Sequence, residues 1–182
     1  MIFNLFELGI LDWIQENLRC AVLDQIMPVI TKLGDGGLFW IALAVVLLIF
    51  KKTRKAGISM GVALIIGYVV CNLILKNVTA RIRPYDLNPE VSLLIEKLHS
   101  FSFPSGHTIS SIEASVALLI RNKKLGIPAV ILAVIIAFSR LYLYVHYPTD
   151  VLVSVLLGIG IAFLASFIVD KLTPTLEKHK IF

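Results

Sequence analysis

The sequence is poor in cysteine, the residue that staples most small secreted folds and holds many structural metals. It has only two in 182 residues, Cys20 and Cys71. They lie far apart, and Cys71 falls within an uncharged apolar run. A disulfide framework and a cysteine metal pair are therefore not indicated, and we expect both cysteines to be packing residues.

The sequence also lacks a long Ser-, Pro- or Gly-rich linker, a low-complexity segment and a short-period repeat. We therefore predict one domain over residues 1–182. The net charge of +5 is distributed in short clusters between apolar runs, without a basic region interleaved with aromatics. Nucleic acid is thus not a predicted partner.

Charged residues are scarce, at 16%, whereas hydrophobic residues make up 58% and the mean hydropathy is +0.89. This composition predicts an all-α integral membrane protein, since backbone polar groups must find partners inside lipid. About 20 residues cross ~30 Å of hydrocarbon as a helix. Within a helical core of residues 36–169, the candidate spans are 36–50, 56–75, 105–120, 125–145 and 150–169.

Residues 1–35 are predicted to form an interfacial segment that begins with an amphipathic helix. No basic region precedes an apolar core, so a signal peptide is not predicted. Residues 21–37 allow two interpretations: a second interfacial or re-entrant helix that ends in a Gly-rich turn, or a segment that joins with the residues before it to make a sixth span. The apolar side of the first helix carries Ile2, Phe3, Phe6, Ile10, Trp13 and Ile14, and the polar side Asn4, Asp12, Gln15, Glu16 and Arg19.

Basic clusters predict the orientation of this bundle of five to six transmembrane helices. They join spans at 51–55 and 121–124 and recur in the tail, residues 170–182. Cytoplasmic loops are enriched in Lys and Arg, so these clusters are expected in the cytoplasm. The connection 76–104 and the sequence HYPTD at 146–150 then belong to the outer face.

Four further cations, Lys76, Arg81, Arg83 and Arg140, lie at or near the outer ends of spans. Any one of them alone could be a residue that extends its charge to the membrane boundary. Four together, where positive charge is disfavoured, indicate a bound anion. Phosphate is the obvious candidate, because Arg and Lys bind its oxygens through charge-assisted hydrogen bonds.

Three sequence patterns carry a family resemblance. KNVTARIRP at 76–84 matches K-x6-R-P, PSGH lies at 104–107, and SRLYLYVHYPTD at 139–150 matches S-R-x5-H-x3-D. In this order, at helix ends, they resemble the type-2 phosphatidic acid phosphatase superfamily. The resemblance implies a membrane lipid phosphatase that works through a phosphohistidine intermediate.

His146 and Asp150 are four residues apart, so one helical turn brings them together. The carboxylate can then bind one ring nitrogen and leave the other free to attack phosphorus, which makes His146 the predicted nucleophile. The resemblance assigns the same roles. Asp150 is also placed to cap the helix that starts at Pro148, and both interpretations can hold.

The PSGH sequence supplies the remaining groups. By resemblance His107 is the general acid. Ser105 and Gly106 begin a helix, where unpaired N–H groups and the absence of a side chain at Gly106 form an anion cradle. Three cations complete the predicted phosphate site around Ser105 and Gly106. They are Lys76, Arg83 and Arg140.

The outer-face carboxylates form no compact ligand motif, so neither a metal nor another cofactor is predicted. Arg81 could assist the site, but the motif gives the weight to Arg83, so Arg81 is interpreted first as a lipid or loop contact. Asp35, in a GDGG turn, is a candidate for shaping the site entrance. Glu113 has two interpretations, one as the lining of a substrate groove and one as a neutral, hydrogen-bonded structural group.

The sequence thus predicts a hydrolase in the cell membrane that removes a terminal phosphate from a lipid at the outer face. The preferred substrate is undecaprenyl diphosphate, which implies a role in cell-wall biogenesis; phosphatidylglycerophosphate and phosphatidic acid are alternatives. A phosphotransferase and a non-enzymatic lipid-phosphate binding protein are alternatives from other classes. A linker helix over VSLLIEKLH is expected to lie on the membrane as a lid, anchored by Val91, Leu93, Leu94 and Leu98.

Overall fold

A computed structural model describes residues 2–178, and within them the side chains of residues 6–174. Every regular element in these residues is a helix, which confirms the predicted all-α class. The side chains of Ile2, Phe3 and Asn4 lie outside the described residues. The helices are α1 (Ile2–Leu18), α2 (Ala21–Lys32), α3 (Leu38–Ile49), α4 (Lys51–Tyr68), α5 (Lys76–Thr79), α6 (Pro84–Leu87), α7 (Gly106–Arg121), α8 (Lys123–Tyr142) and α9 (Pro148–Lys178), with a 3₁₀ turn at Asp35–Gly37 and a π-helix at Val69–Leu75.

Three helical segments of the described residues are long and apolar enough to cross a membrane: Lys51–Leu87, Lys123–Tyr142 and Pro148–Pro174. They contain most or all of three predicted spans. A fourth is possible where α2 and the segment Asp35–Ile49 meet at a bend of 44°. The predicted number of five to six is therefore not confirmed, and α2 pairs with the helix after it instead of the residues before it.

Helix α7 lies at the centre of the bundle, packed against α4, α8 and α9. Small buried side chains such as Ser111, Ala114 and Ala117 let these helices approach closely. At 16 residues, α7 measures ~24 Å, which is short for a membrane span. Because protein encloses it, this helix accommodates polar residues that a lipid-facing helix would exclude.

The basic clusters meet at one end of the bundle. Lys55 and Arg121 both pair with Asp170, at 2.7 and 2.8 Å, and Arg121 also donates to the backbone carbonyl of Ser166 at 2.7 Å. The connections 51–55 and 121–124 therefore share an end with the last turns of α9. The PSGH and HYPTD sequences lie at the opposite helix ends.

Helix α1 docks on the end of the bundle that carries these motifs, and the predicted interfacial, amphipathic role of this helix is not confirmed. Two residues of its predicted polar side bind the protein: Asp12 accepts a bond from the Tyr144 hydroxyl at 2.6 Å, and Gln15 donates to the Tyr142 carbonyl at 2.8 Å. Phe6 and Trp13, from the predicted apolar side, point away and are 69% and 55% exposed. The predicted apolar side is thus divided, with Phe6 and Trp13 exposed and Ile14 buried against the protein.

The predicted linker helix is wrong. Residues 88–105 are irregular, and the four expected lid anchors are partly buried against a cluster that includes Leu11, Ile14 and Tyr85. Tyr85 fixes this loop by donating to the Leu98 carbonyl at 2.9 Å and accepting from the Leu98 amide at 3.0 Å. The leucine-rich pattern therefore reflects packing on α1 and does not mark a helix.

Candidate active site

A cavity of about 720 Å³ connects the motif residues with the space between α3 and α4. One part of it is apolar, with Ile41, Val45 and Leu64 among its walls. Its polar end brings together five of the predicted site residues: Lys76, Arg83, Gly106, His107 and His146. Ser105, Arg140 and Asp150 are buried behind this lining.

His146 is 2% exposed and lies between a cation and a carboxylate. Arg83 Nη1 is 3.3 Å from its Nε2, and Asp150 Oδ2 is 3.5 Å from its Nδ1. Because the guanidinium can only donate, this contact favours the tautomer with the lone pair on Nε2 and the proton on Nδ1. In that tautomer Nε2 carries the lone pair that a nucleophile requires, and the Nδ1–H points towards Asp150 without forming a hydrogen bond at 3.5 Å.

Burial lowers the pKa of His146 to about 3, and the nearby positive charge of Arg83 acts in the same direction, while Asp150 opposes the shift. The ordinary pKa of histidine is 6.5, so the lowered value keeps Nε2 unprotonated over the whole physiological range. An imidazole that stays unprotonated would need no general base to act as a nucleophile.

We expect no loss of kcat/KM from His146 protonation as the pH falls from 8 to about 4.5, since the neutral form dominates above its lowered pKa. The measurement is a profile of kcat/KM against pH, corrected for ionisation of the substrate phosphate. An acid limb near pH 6.5 that persists in His107→Gln would contradict this expectation.

Asp150 is more fully engaged than its spacing from His146 predicted. Its carboxylate accepts bonds from Ser102 Oγ at 2.5 Å, from the Tyr147 amide at 3.0 Å and from Arg81 Nη1 at 2.5 Å. The Tyr147 contact caps α9 as the alternative interpretation proposed. Asp150 is therefore both a cap and a fixed neighbour of His146. The interpretation of Arg81 as a lipid or loop contact was wrong, because it pairs with this carboxylate.

Arg83 is held in place on several sides. It donates to the carbonyls of Val145 at 2.7 Å, Ser100 at 2.8 Å and Phe101 at 3.2 Å, and to Ser100 Oγ at 3.1 Å. These acceptors fix the plane of the guanidinium beside His146. The site thus has a cation whose position is set before any substrate enters.

Arg140 is 1% exposed, and its Nη1 donates to Thr31 Oγ1. Its Nε and Nη2 have no hydrogen-bond partner among the described residues. A buried guanidinium with unused donors is costly unless an anion completes its bonds. Lys76 lies at the cavity edge, where its Nζ contacts Ser100 Oγ at 3.3 Å.

Two residues at the start of α7, Ser105 and Gly106, have different roles. Ser105 caps the helix by accepting from the Thr108 amide at 3.4 Å, and its own amide donates to Ser154 Oγ at 2.8 Å. Gly106 faces the cavity, and a side chain there would point at Lys76. The open part of the predicted cradle is therefore at Gly106, with Ser105 supporting it from inside the protein.

His107 pairs with Asp35, whose Oδ1 lies 2.8 Å from the histidine Nε2. The GDGG turn delivers this carboxylate, with Gly36 and Gly37 at positive φ of 56° and 68°. Sequence reasoning placed Asp35 at the entrance, whereas the structure brings it into direct contact with the predicted acid.

Glu113 lines the cavity, is 1% exposed and packs against Gly67, where any side chain would overlap its carboxylate. Its Oε2 has no partner among the described residues. The predicted groove position is thus present. Ser100, Ser102 and Glu7 were not selected from the sequence at all, since an isolated serine or a helix glutamate carries no motif.

Residues 56–174 match the family model described as the PAP2 superfamily. The chain belongs to this superfamily. This confirms the resemblance drawn from the three motifs, and with it the prediction of a membrane phosphatase. The assignment rests on most of the chain, including both histidine motifs.

Two curated relatives and one solved structure extend the match. An undecaprenyl-diphosphatase of Sulfolobus acidocaldarius is 37% identical over 148 residues, covering 81% of this chain and 71% of the relative. An undecaprenyl-diphosphatase of Bacillus subtilis is 36% identical, covering 86% and 80%. The crystal structure of a transmembrane PAP2-type phosphatidylglycerolphosphate phosphatase from Bacillus subtilis superposes with a TM-score of 0.76 at 27% identity, covering 93% of this chain and 87% of that one.

Proposed function

We propose that this PAP2 protein hydrolyses the terminal phosphate of a lipid diphosphate, with undecaprenyl diphosphate as its preferred substrate. The observation that carries the proposal is the position of His146, with Nε2 beside Arg83 at the polar end of the cavity and Nδ1 towards Asp150. Fixed cations around a buried nucleophile are the arrangement that phosphoryl transfer requires.

The reaction has two balanced steps. Nε2 of His146 forms a bond to phosphorus as the bond from phosphorus to the bridging oxygen breaks, and His107 gives its proton to that leaving oxygen. Water then attacks phosphorus, His107 takes up the proton, and the N–P bond breaks to release inorganic phosphate. Asp35 holds His107 in place through the contact of its Oδ1 with the histidine Nε2.

The cavity also supports a lipid substrate. Its apolar part runs from the motif residues between α3 and α4, where a prenyl or acyl chain can lie while its phosphate reaches the cations. Two relatives carry the name undecaprenyl-diphosphatase, which favours the prenyl diphosphate. The structural neighbour, titled as a phosphatidylglycerolphosphate phosphatase, keeps that lipid as the alternative.

In this proposal α7 and the bent pair of α2 with Asp35–Ile49 also cross the bilayer. Together with the three long apolar segments they make five membrane spans. The basic end at Lys55 and Arg121 faces the cytoplasm, and the site faces outward. The proposed function is then the recycling of a lipid carrier from outside the membrane, as cell-wall synthesis requires.

The test is phosphate release from undecaprenyl diphosphate, phosphatidylglycerophosphate and phosphatidic acid in detergent with excess EDTA, compared as kcat/KM. We expect the prenyl diphosphate to give the highest value, chelation to have no effect and vanadate to inhibit. A higher value for either of the other lipids would change the substrate. Transfer of phosphate to an added alcohol in place of water would indicate a phosphotransferase, and binding without turnover a carrier.

A further inference from the structure

Glu7 is a carboxylate of α1 that lies almost completely buried against the active site. Glu7 is only 1% exposed. Oε1 accepts from the Thr149 amide at 2.8 Å and from Thr149 Oγ1 at 2.6 Å, and Oε2 pairs with Arg81 Nη2 at 2.5 Å. Through the amide of Thr149, Glu7 binds the N-terminal turn of α9, where a negative charge is favoured.

Arg81 connects this carboxylate with the one beside the nucleophile. Its Nη1 donates to Asp150 Oδ1 at 2.5 Å and to Thr149 Oγ1 at 2.9 Å. Its guanidinium carbon lies 3.8 Å from the centre of the Tyr147 ring, in a cation–π contact. The guanidinium is thus fixed between two carboxylates and an aromatic face, one step behind His146.

We propose that Glu7 and Arg81 are positioning residues for the Asp150–His146 pair, so that docking of the N-terminal helix is required for full catalytic rate. The proposal rests on the proposed function, since it assigns these two residues to the same phosphohistidine reaction. Neither residue lines the cavity, and both act through Asp150.

The charges explain why two carboxylates share one arginine. Arg81 orients Asp150, but alone it would also neutralise the negative charge that stabilises a positively charged His146 as the N–P bond forms. Glu7 takes part of the positive charge of Arg81, so Asp150 is oriented without losing its effect on the imidazole. Loss of Glu7 should therefore lower the rate of the chemical step more than the binding of substrate.

The experiment compares Glu7→Gln with Asp12→Asn in the full-length protein, using phosphate release from undecaprenyl diphosphate. Asp12 is the matched control, because it too lies on α1 and binds a side chain near the site, Tyr144, without a contact to Arg81 or Asp150. We expect kcat to fall ~10-fold or more in Glu7→Gln with KM nearly unchanged, the range reached by outer partners of a reacting group. Asp12→Asn should keep the native kcat.

Thermal unfolding of both variants in detergent separates a positioning role from a structural one. If Glu7→Gln does not fold, Glu7→Asp keeps the charge at a shorter reach, and its kcat should then lie below that of Asp12→Asn. A native kcat in Glu7→Gln, or equal losses of kcat in Glu7→Gln and Asp12→Asn, would overturn the proposal. Activity that survives His146→Ala would instead mean that the proposed function has failed.

Discussion

Replacing His146 by alanine is expected to lower kcat/KM for the lipid diphosphate by on the order of 10⁴-fold or more, as removal of a covalent nucleophile does elsewhere. The reason is the geometry of the site. Nε2 of His146 faces the cavity beside Arg83, and no other imidazole of the described residues shares this position. The measurement is phosphate release at saturating and at low lipid concentration, together with a search for the phosphorylated protein.

The control for this change is His99→Ala. His99 is exposed in the loop that also supplies Ser100, so this variant removes an imidazole near the site without removing the proposed nucleophile. It should keep the native kcat/KM and the native phosphoenzyme signal. Since His146 is buried, unfolding of His146→Ala in detergent should also be measured, with His146→Gln as a better-filling variant. A folded His146 variant with native turnover would contradict the phosphohistidine mechanism.

The second large effect is expected at Arg83, where lysine keeps the charge but not the planar fork. One ammonium cannot reach the carbonyls of Val145 and Ser100 together and still stand beside His146, as the guanidinium does. We expect Arg83→Lys to lower kcat/KM by about 10²–10³-fold, the cost of one electrostatic donor in comparable sites. The loss should appear mainly in kcat, because Lys76 and Arg140 still attract the phosphate.

Arg54→Lys is the matched control for this substitution. Arg54 also donates through its guanidinium to a backbone carbonyl, that of Leu48 at 2.9 Å, but at the opposite end of the bundle. It should keep the native kcat/KM. Equal activities for Arg83→Lys and the native protein would mean that charge alone suffices at this position, and that the fork has no catalytic role.

The sequence carried most of the information on the helices and the motif residues. The runs 56–75, 125–145 and 150–169 are strongly apolar, with Arg140 and Asp150 as their only charged residues, so hydropathy locates them without knowledge of their neighbours. Gly106, His107 and His146 stand in short motifs whose spacing is local, and all three line one cavity. The same leucine-rich pattern predicted a helix over VSLLIEKLH, where the structure has none. In the sequence, leucines that pack against the cluster around Leu11 and Ile14 cannot be distinguished from leucines that anchor a membrane-bound helix.

Other roles depend on contacts between residues far apart in the chain. Glu7 and Thr149 are separated by 142 positions, and Asp35 and His107 by 72, so no local pattern links them. Arg81 and Arg83 differ by two positions and have the same chemistry, yet the first binds Asp150 and the second lies beside the ring of His146. Their positions in the sequence give no physical reason why Arg81 binds Asp150 and Arg83 lies beside His146.

The sequence by itself determined the membrane class, the apolar spans, the basic clusters and the three motifs, because each depends on composition or on spacing within a few turns. Only the tertiary structure decided how α1 is oriented, which carboxylate pairs with His107 and how Asp150 is shared between Ser102, Tyr147 and Arg81. The physical reason is that a buried charge is stable only beside its partner. Which partner it finds is settled when the helices pack.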